Sequence, residues 1–144
     1  MQKILFQGGG NVLSNMSAYA IEWRGEIWMT AEHAYQSAKF ESETIKEYIR
    51  NARSAYAAKV IAGENIQSVK ENWLSQRLSV MEDVLRCKIA QHPHVCKKLL
   101  ETGEGLIIED TVDSFWGKGS SGDRQNHLGQ LWMKLRSEHI SSAV

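Results

Sequence analysis

The sequence predicts an α+β fold: a mainly α-helical single domain over residues 1–144 with a small N-terminal antiparallel sheet. Three observations predict it. The first thirty residues hold short apolar runs punctuated by glycine. The rest carries apolar residues at three-or-four spacing behind residues that cap helices. Proline occurs only once, so little interrupts those helices. A chain of 144 residues fits one domain, and folding hides about 68–70% of the surface the unfolded form exposes.

Taken in order, Lys3–Phe6 is a strand-like run stopped by Gly8-Gly9-Gly10. Tyr19–Trp23 and Glu26–Met29 flank Arg24-Gly25, a two-residue hairpin turn, and Trp23 and Trp28 suit a half-buried sheet face. Thr30 caps a helix over Ala31–Phe40, with Glu32 in the first turn where the helix dipole favours negative charge. Thr44–Asn51 is a short helix. Ser54 caps Ala55–Ala62, which Gly63 stops. The longest helix runs from near Asn72 to Gln91, its apolar face formed by Leu74, Leu78, Met81, Leu85 and Ile89, and Pro93 ends it. His94–Thr102 is a further helix closed by Gly103. Leu106–Ile108 is a short buried strand, and Leu128–Ile140 is the closing helix, presenting Leu128, Leu131, Trp132 and Leu135.

Seventeen Lys and Arg balance seventeen Asp and Glu, which argues against a basic nucleic-acid coat or a polybasic membrane surface. No run approaches the roughly 18 apolar residues of a membrane helix. Residues 1–5 lead into only a short apolar stretch, so no secretory leader is expected and a cytoplasmic location is. Cys87 and Cys96 are expected as free thiols. The five histidines show no metal spacing, and no phosphate-loop, dinucleotide or nucleophile-elbow motif occurs. No metal or cofactor is called for.

Two segments could carry chemistry. In Thr30–Lys39, helical spacing stacks Glu32, Gln36 and Lys39 on one face, with Ala31, Ala34, Tyr35 and Ala38 on the packing side. A solvated ladder is the plain reading. A carboxylate at a helix start with an amine two turns away could equally serve as acid/base and nucleophile if a pocket buries them. In the glycine-rich stretch 109–126, Trp116 offers a flat surface for a planar ring, and Gly117 and Gly119 let backbone N–H groups approach sugar or phosphate oxygens. Asp113 and Asn126 add an acceptor and a mixed donor–acceptor; an ordinary capped loop with Trp116 as a core plug is the competing reading. Trp73, opening the long helix, reads from its position as core.

Read together, these pieces resemble the NADAR, or YbiA-like, family of small N-glycosidase domains. The resemblance spans nearly the whole chain. It rests on Leu13-Ser14-Asn15, then Glu32-His33-x-Tyr35-Gln36-x-x-Lys39, Ala58-Lys59, Trp73, Met81 and Lys88. It continues through Leu99-Leu100-x-Thr102-Gly103, Glu109, Asp113-x-x-Trp116-Gly117-x-Gly119, Gly122, Asn126-x-x-Gly129 and Leu131-x-Met133-x-x-Arg136. Met16 departs from the aromatic that commonly follows Ser-Asn, and the segment after Lys59 lacks a basic residue that many members carry.

The resemblance implies hydrolysis of an N-glycosidic bond at ribose C1′. Two substrate classes follow: phosphoribosylamino-pyrimidine intermediates of early riboflavin synthesis, and ADP-ribosylated guanine, the second bringing transient contact with modified nucleic acid. Glu32, Lys39 and Asp113 are then the catalytic candidates. Ser14, Asn15, Tyr35, Gln36, Trp73, Trp116, Gly117, Gly119 and Asn126 are the substrate-binding ones. A non-catalytic module that binds NAD or ADP-ribose as a sensor or adaptor would keep Trp116 and the glycines but need neither Glu32 nor Lys39. Neutral overall charge favours a small metabolite over long DNA. No membrane partner is expected.

Overall fold

The computed structural model describes residues 2–142. Its elements in chain order are β1 (Lys3–Phe6), β2 (Ile21–Trp23), β3 (Glu26–Trp28), α1 (Ala31–Ser37), α2 (Glu43–Arg50), α3 (Ala55–Glu64), α4 (Trp73–Gln91), α5 (Pro93–Glu101), β4 (Leu106–Glu109) and α6 (His127–Ser142). A single 3-10 turn, Ile66–Ser68, lies between α3 and α4. They fall into two compact units, one of residues 15–91 and one combining residues 2–14 with 92–142.

In the unit of residues 15–91, β2 and β3 form the antiparallel hairpin, with Ile21 opposite Trp28 and Trp23 opposite Glu26. Arg24 and Gly25 sit at φ +52° and +80°, the two positive angles a tight primed turn requires. Both tryptophans are buried, and each indole N–H is satisfied: Trp23 donates to Asp83 Oδ2 at 2.7 Å and Trp28 to the Trp23 carbonyl at 3.0 Å. Thr30, Ser42 and Ser54 cap α1, α2 and α3, each side-chain oxygen accepting from a backbone N–H of the first turn. Phe40, Ile49, Ala52, Ala58 and Ala62 form the core under α1–α3, edged by Ile45, Ala57, Ile61 and Val69. His33 is buried and joins two elements: its Nδ1 meets Thr30 Oγ1 at 2.7 Å, and its Nε2 lies 3.0 Å from the Ala52 carbonyl. A carbonyl only accepts, so Nε2 carries the proton and donates.

The other unit is built on a parallel pair, β1 with β4, in which Ile4 lies opposite Ile107 and Phe6 opposite Glu109. Phe6, Leu13, Val95, Leu99, Ile107, Leu128, Trp132 and Leu135 fill its core. The Trp132 indole donates to the Leu13 carbonyl at 3.0 Å. Buried Arg136 donates from Nη1 to Thr102 Oγ1 and to the Gly105 carbonyl, both at 2.8 Å. Helix α6 passes so close to β4 that a Cβ on Gly129 would lie 2.1 Å from the Ile107 oxygen.

The structure corrects several sequence expectations. Helix α1 ends at Ser37 rather than Phe40, because Lys39 and Phe40 donate to Gln36 and Ser37, three residues back, and the last turn tightens out of α geometry. Gly63 lies inside α3, and Asn65 closes that helix. On α4 the buried face is Trp73, Val80, Met81, Val84, Leu85, Lys88 and Ile89, whereas Leu74 is 73% exposed and Leu78 is exposed too. Pro93 opens α5 as a first-turn residue, where its missing N–H costs nothing. Cys87 and Cys96 are free thiols. Among the described residues no helix is long and apolar enough to cross a membrane, and no group of three His, Cys, Asp or Glu is placed to hold a metal ion.

Candidate active site

Helix α1 is not a solvated ladder. All seven of its residues are buried. The Thr30 cap starts the helix so that Glu32 falls in its first turn, and the Glu32 backbone N–H donates to the Asn15 carbonyl at 3.0 Å. One turn on, Gln36 Nε2 donates to Glu32 Oε1 at 2.7 Å, the i,i+4 contact that the spacing predicts. Burial is the largest influence on the Glu32 carboxyl and holds it above its ordinary value of 4.5. The Gln36 hydrogen bond, then Lys59, Lys39 and His33, pull part of that shift back.

The same unit holds Asn15, Tyr35, Gln36, Lys39 and Trp73. The Lys39 ammonium lies 5.5 Å from the centre of the Tyr35 ring, and Trp73 lies 5.4 Å from the same ring at 58°. Tyr35 and Trp73 are buried, so they fix Lys39 from an apolar wall. Asn15 Nδ2 donates to Met81 Sδ at 3.2 Å. Asn15 Oδ1 and Gln36 Oε1 are buried without a hydrogen-bond partner among the described residues.

Lys88 is a buried cation that the sequence marks only within the resemblance. It is fully buried, its Nζ donates to Ser17 Oγ at 2.9 Å, and it lies 5.3 Å from the Tyr19 ring. Burial lowers its pKa from 10.5 to about 7. A signal was present: Lys88 falls seven residues after Met81 and three after Leu85, in phase with the apolar face of α4. With Asn15 on Met81 and Ser17 on Lys88, α4 anchors the segment whose Asn15 carbonyl holds the Glu32 backbone.

Ser14, Asp113, Trp116, Gly117, Gly119 and Asn126 belong to the other unit. Ser14 is buried, and its backbone N–H donates to the Asn11 carbonyl. Asp113 is exposed and folds its own turn, Oδ1 accepting from the Phe115 and Trp116 N–H groups at 2.8 Å each. Trp116 is half-buried and edge-on to Phe115 at 4.8 Å. The Gly117 and Gly119 N–H groups donate to the Asp113 and Thr111 carbonyls, so the loop itself uses the donors the sequence offered to a ligand. Gly117 has no room for a Cβ, which would stand 2.4 Å from Thr111 Oγ1. Asn126, at φ +49°, accepts from the Glu109 N–H and donates to the Ile107 carbonyl, extending the edge of β4.

A buried carboxyl with a lysine two turns on, on a helix of an α+β scaffold, is an arrangement that can do acid–base chemistry. The pattern of the NADAR domain matches residues 7–139, and the chain belongs to the NADAR family. It is 36% identical over 126 residues to the N-glycosidase YbiA of Escherichia coli strain K12, across 87% of this chain and 79% of that protein. It is 30% identical to the N-glycosidase Npun_R5314 of Nostoc punctiforme, covering 87% of this chain and 83% of that one. The chloroplastic riboflavin biosynthesis protein PYRR of Zea mays is 33% identical across 90% of this chain but only 23% of its own length. The NMR structure of Escherichia coli YbiA superposes with a TM-score of 0.87 at 33% identity, covering 99% of this chain and 89% of that one.

Proposed function

We propose that this chain is an N-glycosidase that hydrolyses the bond between ribose C1′ and an exocyclic amine, with phosphoribosylamino-pyrimidine intermediates of riboflavin synthesis as its substrates. The single observation that carries the reading is Glu32, a carboxyl sunk into the protein on the Thr30-capped helix with Lys39 two turns away. Burying a carboxyl is costly, and an acid whose pKa is raised by burial is a candidate for chemistry. Relatives named as N-glycosidases, and one named for riboflavin biosynthesis, support the reaction and the substrate class.

The chemistry follows from the two side chains. A ribosylamine opens to an imine between C1′ and the amine nitrogen. Lys39, as the free amine, adds to C1′, and the C1′–N bond to the leaving amine breaks as that nitrogen gains a proton. Glu32 supplies the proton, because a carboxyl held above its ordinary pKa keeps one to higher pH. Water then adds to the Lys39 imine, Glu32 regains the proton, and the sugar aldehyde leaves as Lys39 is restored. If the ring stays closed, ionised Glu32 instead stabilises the positive charge that develops at C1′.

Asn126 acts by shaping its loop, since both ends of its amide are used on β4. A sensor that binds ADP-ribose without cleaving it would have no use for a buried Glu32 with Lys39 two turns on. The test is a paired cleavage assay on phosphoribosylamino-pyrimidine and on a guanine-ADP-ribosylated oligonucleotide, with Glu32→Gln as control. Wild-type release of the pyrimidine, lost in the variant, is the expected result. Release of ADP-ribose alone would move the substrate to modified nucleic acid. Binding of ADP-ribose with no cleavage in either arm would overturn the glycosidase reading.

A further inference from the structure

Two acceptors beside Glu32 are left over once the fold has made its hydrogen bonds. Asn15 and Gln36 are 5% and 4% exposed, and their side-chain carbonyl oxygens have no partner among the described residues. Native proteins rarely strand buried acceptors, so two of them on residues hydrogen-bonded to Glu32 are informative. Each residue is one hydrogen bond from Glu32, Asn15 through its backbone carbonyl and Gln36 through its amide nitrogen. Neither amide is free to turn. Asn15 Nδ2 is held by Met81 Sδ and Gln36 Nε2 by Glu32 Oε1, so in each amide the oxygen is the atom left without a partner among the described residues.

Two unpartnered buried oxygens select for donors. Phosphate oxygens would be repelled there, and an apolar ring would leave both oxygens unsatisfied. We infer that Asn15 Oδ1 and Gln36 Oε1 accept from the vicinal 2′- and 3′-hydroxyls of the substrate's ribose, so that the site takes N-ribosyl compounds and rejects their 2′-deoxyribosyl counterparts. This rests on the glycosidase reading above. Ribose carries two adjacent donors, and C1′ is bonded to the carbon that bears the 2′-hydroxyl. Holding that hydroxyl beside Glu32 therefore brings the reacting carbon to the acid. A hydrogen bond to this hydroxyl also strengthens as charge builds at C1′, so it acts on turnover more than on binding.

The experiment compares kcat/KM of the wild-type protein on phosphoribosylamino-pyrimidine and on the 2′-deoxyribosyl analogue with the same leaving amine, each corrected for its rate without enzyme. A preference of about 100-fold or more for the ribosyl compound is expected. Asn15→Leu and Gln36→Met, each with its melting curve, should shrink that preference below about 10-fold, mainly through kcat. Equal wild-type rates on both compounds would overturn the inference and leave the glycosidase reading intact. Cleavage of neither would overturn that reading instead. A full preference kept in both folded variants would also remove these two oxygens from the account, and if neither variant folds the wild-type comparison decides alone.

Discussion

Helix α1 and the loop between β4 and α6 both drew attention in the sequence, and they use their polar atoms in opposite ways. Of the expected site residues on the loop, Asp113 Oδ1 caps a turn, Gly117 and Gly119 donate inward, and the Asn126 amide is consumed at both ends. Thr111 Oγ1, not one of those residues, is buried without a hydrogen-bond partner among the described residues. On and beside α1 the balance reverses. Glu32 is desolvated, and Asn15 and Gln36 keep acceptors in reserve. A motif of polar residues is therefore a weak guide to chemistry until it is known which of their atoms the fold has already used.

The comparison breaks most sharply at Lys39. Lys39→Ala should lower turnover by about 1000-fold or more while leaving the melting temperature within a few degrees, because the side chain is only half-buried. Borohydride added during wild-type turnover should fix sugar to Lys39, and peptide mapping that finds no adduct would remove the imine step. Asn126→Ala should show the reverse pattern. It deletes two hydrogen bonds to β4 at a left-handed position, a stability cost of about 2–3 kcal/mol by urea unfolding, with turnover of the folded fraction reduced far less.

Stability against pH separates Glu32 and Lys88, both buried in the same unit. Glu32 has a raised pKa in the fold, so the native state binds the extra proton, and its contribution is lost as pH rises above 4.5 through the folded value. Lys88 is lowered from 10.5 to about 7, so the unfolded chain binds the extra proton in that window and stability rises with pH across it, by up to about 1.4 kcal/mol per unit. Melting curves of Glu32→Gln and Lys88→Met against wild type should each lose the matching slope. The smallest effect belongs to Leu74→Ser, which should change stability by no more than about 0.5 kcal/mol, since that side chain is largely in solvent.

Local chemistry made much of this fold readable. Thr30 and Ser54 marked helix starts, Arg24-Gly25 marked the hairpin turn, and Glu32 and Gln36 met as their spacing required. What could not be read depends on contacts between distant segments. Strand β1 pairs in parallel with β4, and nothing in Lys3–Phe6 names a partner about a hundred residues on. The face of α4 was misplaced because Leu74 and Leu78 fit a helical period as well as Val80 and Val84 do, and only packing chooses between them. Burial of all seven α1 residues was hidden for the same reason: Glu, His and Gln on a helix look solvated until neighbours cover them. Lys88 was legible as an anomaly, a lysine on an apolar stripe. Its Ser17 partner, 71 positions away, was not.

The central claim is that the buried acid of α1, and not the loop, carries the reaction. The most direct measurement is single-turnover cleavage of phosphoribosylamino-pyrimidine by Glu32→Gln and by Asp113→Asn, each beside its melting curve. The account predicts a loss of at least about 100-fold for Glu32→Gln in a protein that melts no earlier than wild type, and a smaller loss for Asp113→Asn. Near-normal cleavage by folded Glu32→Gln, with activity abolished in folded Asp113→Asn, would contradict it.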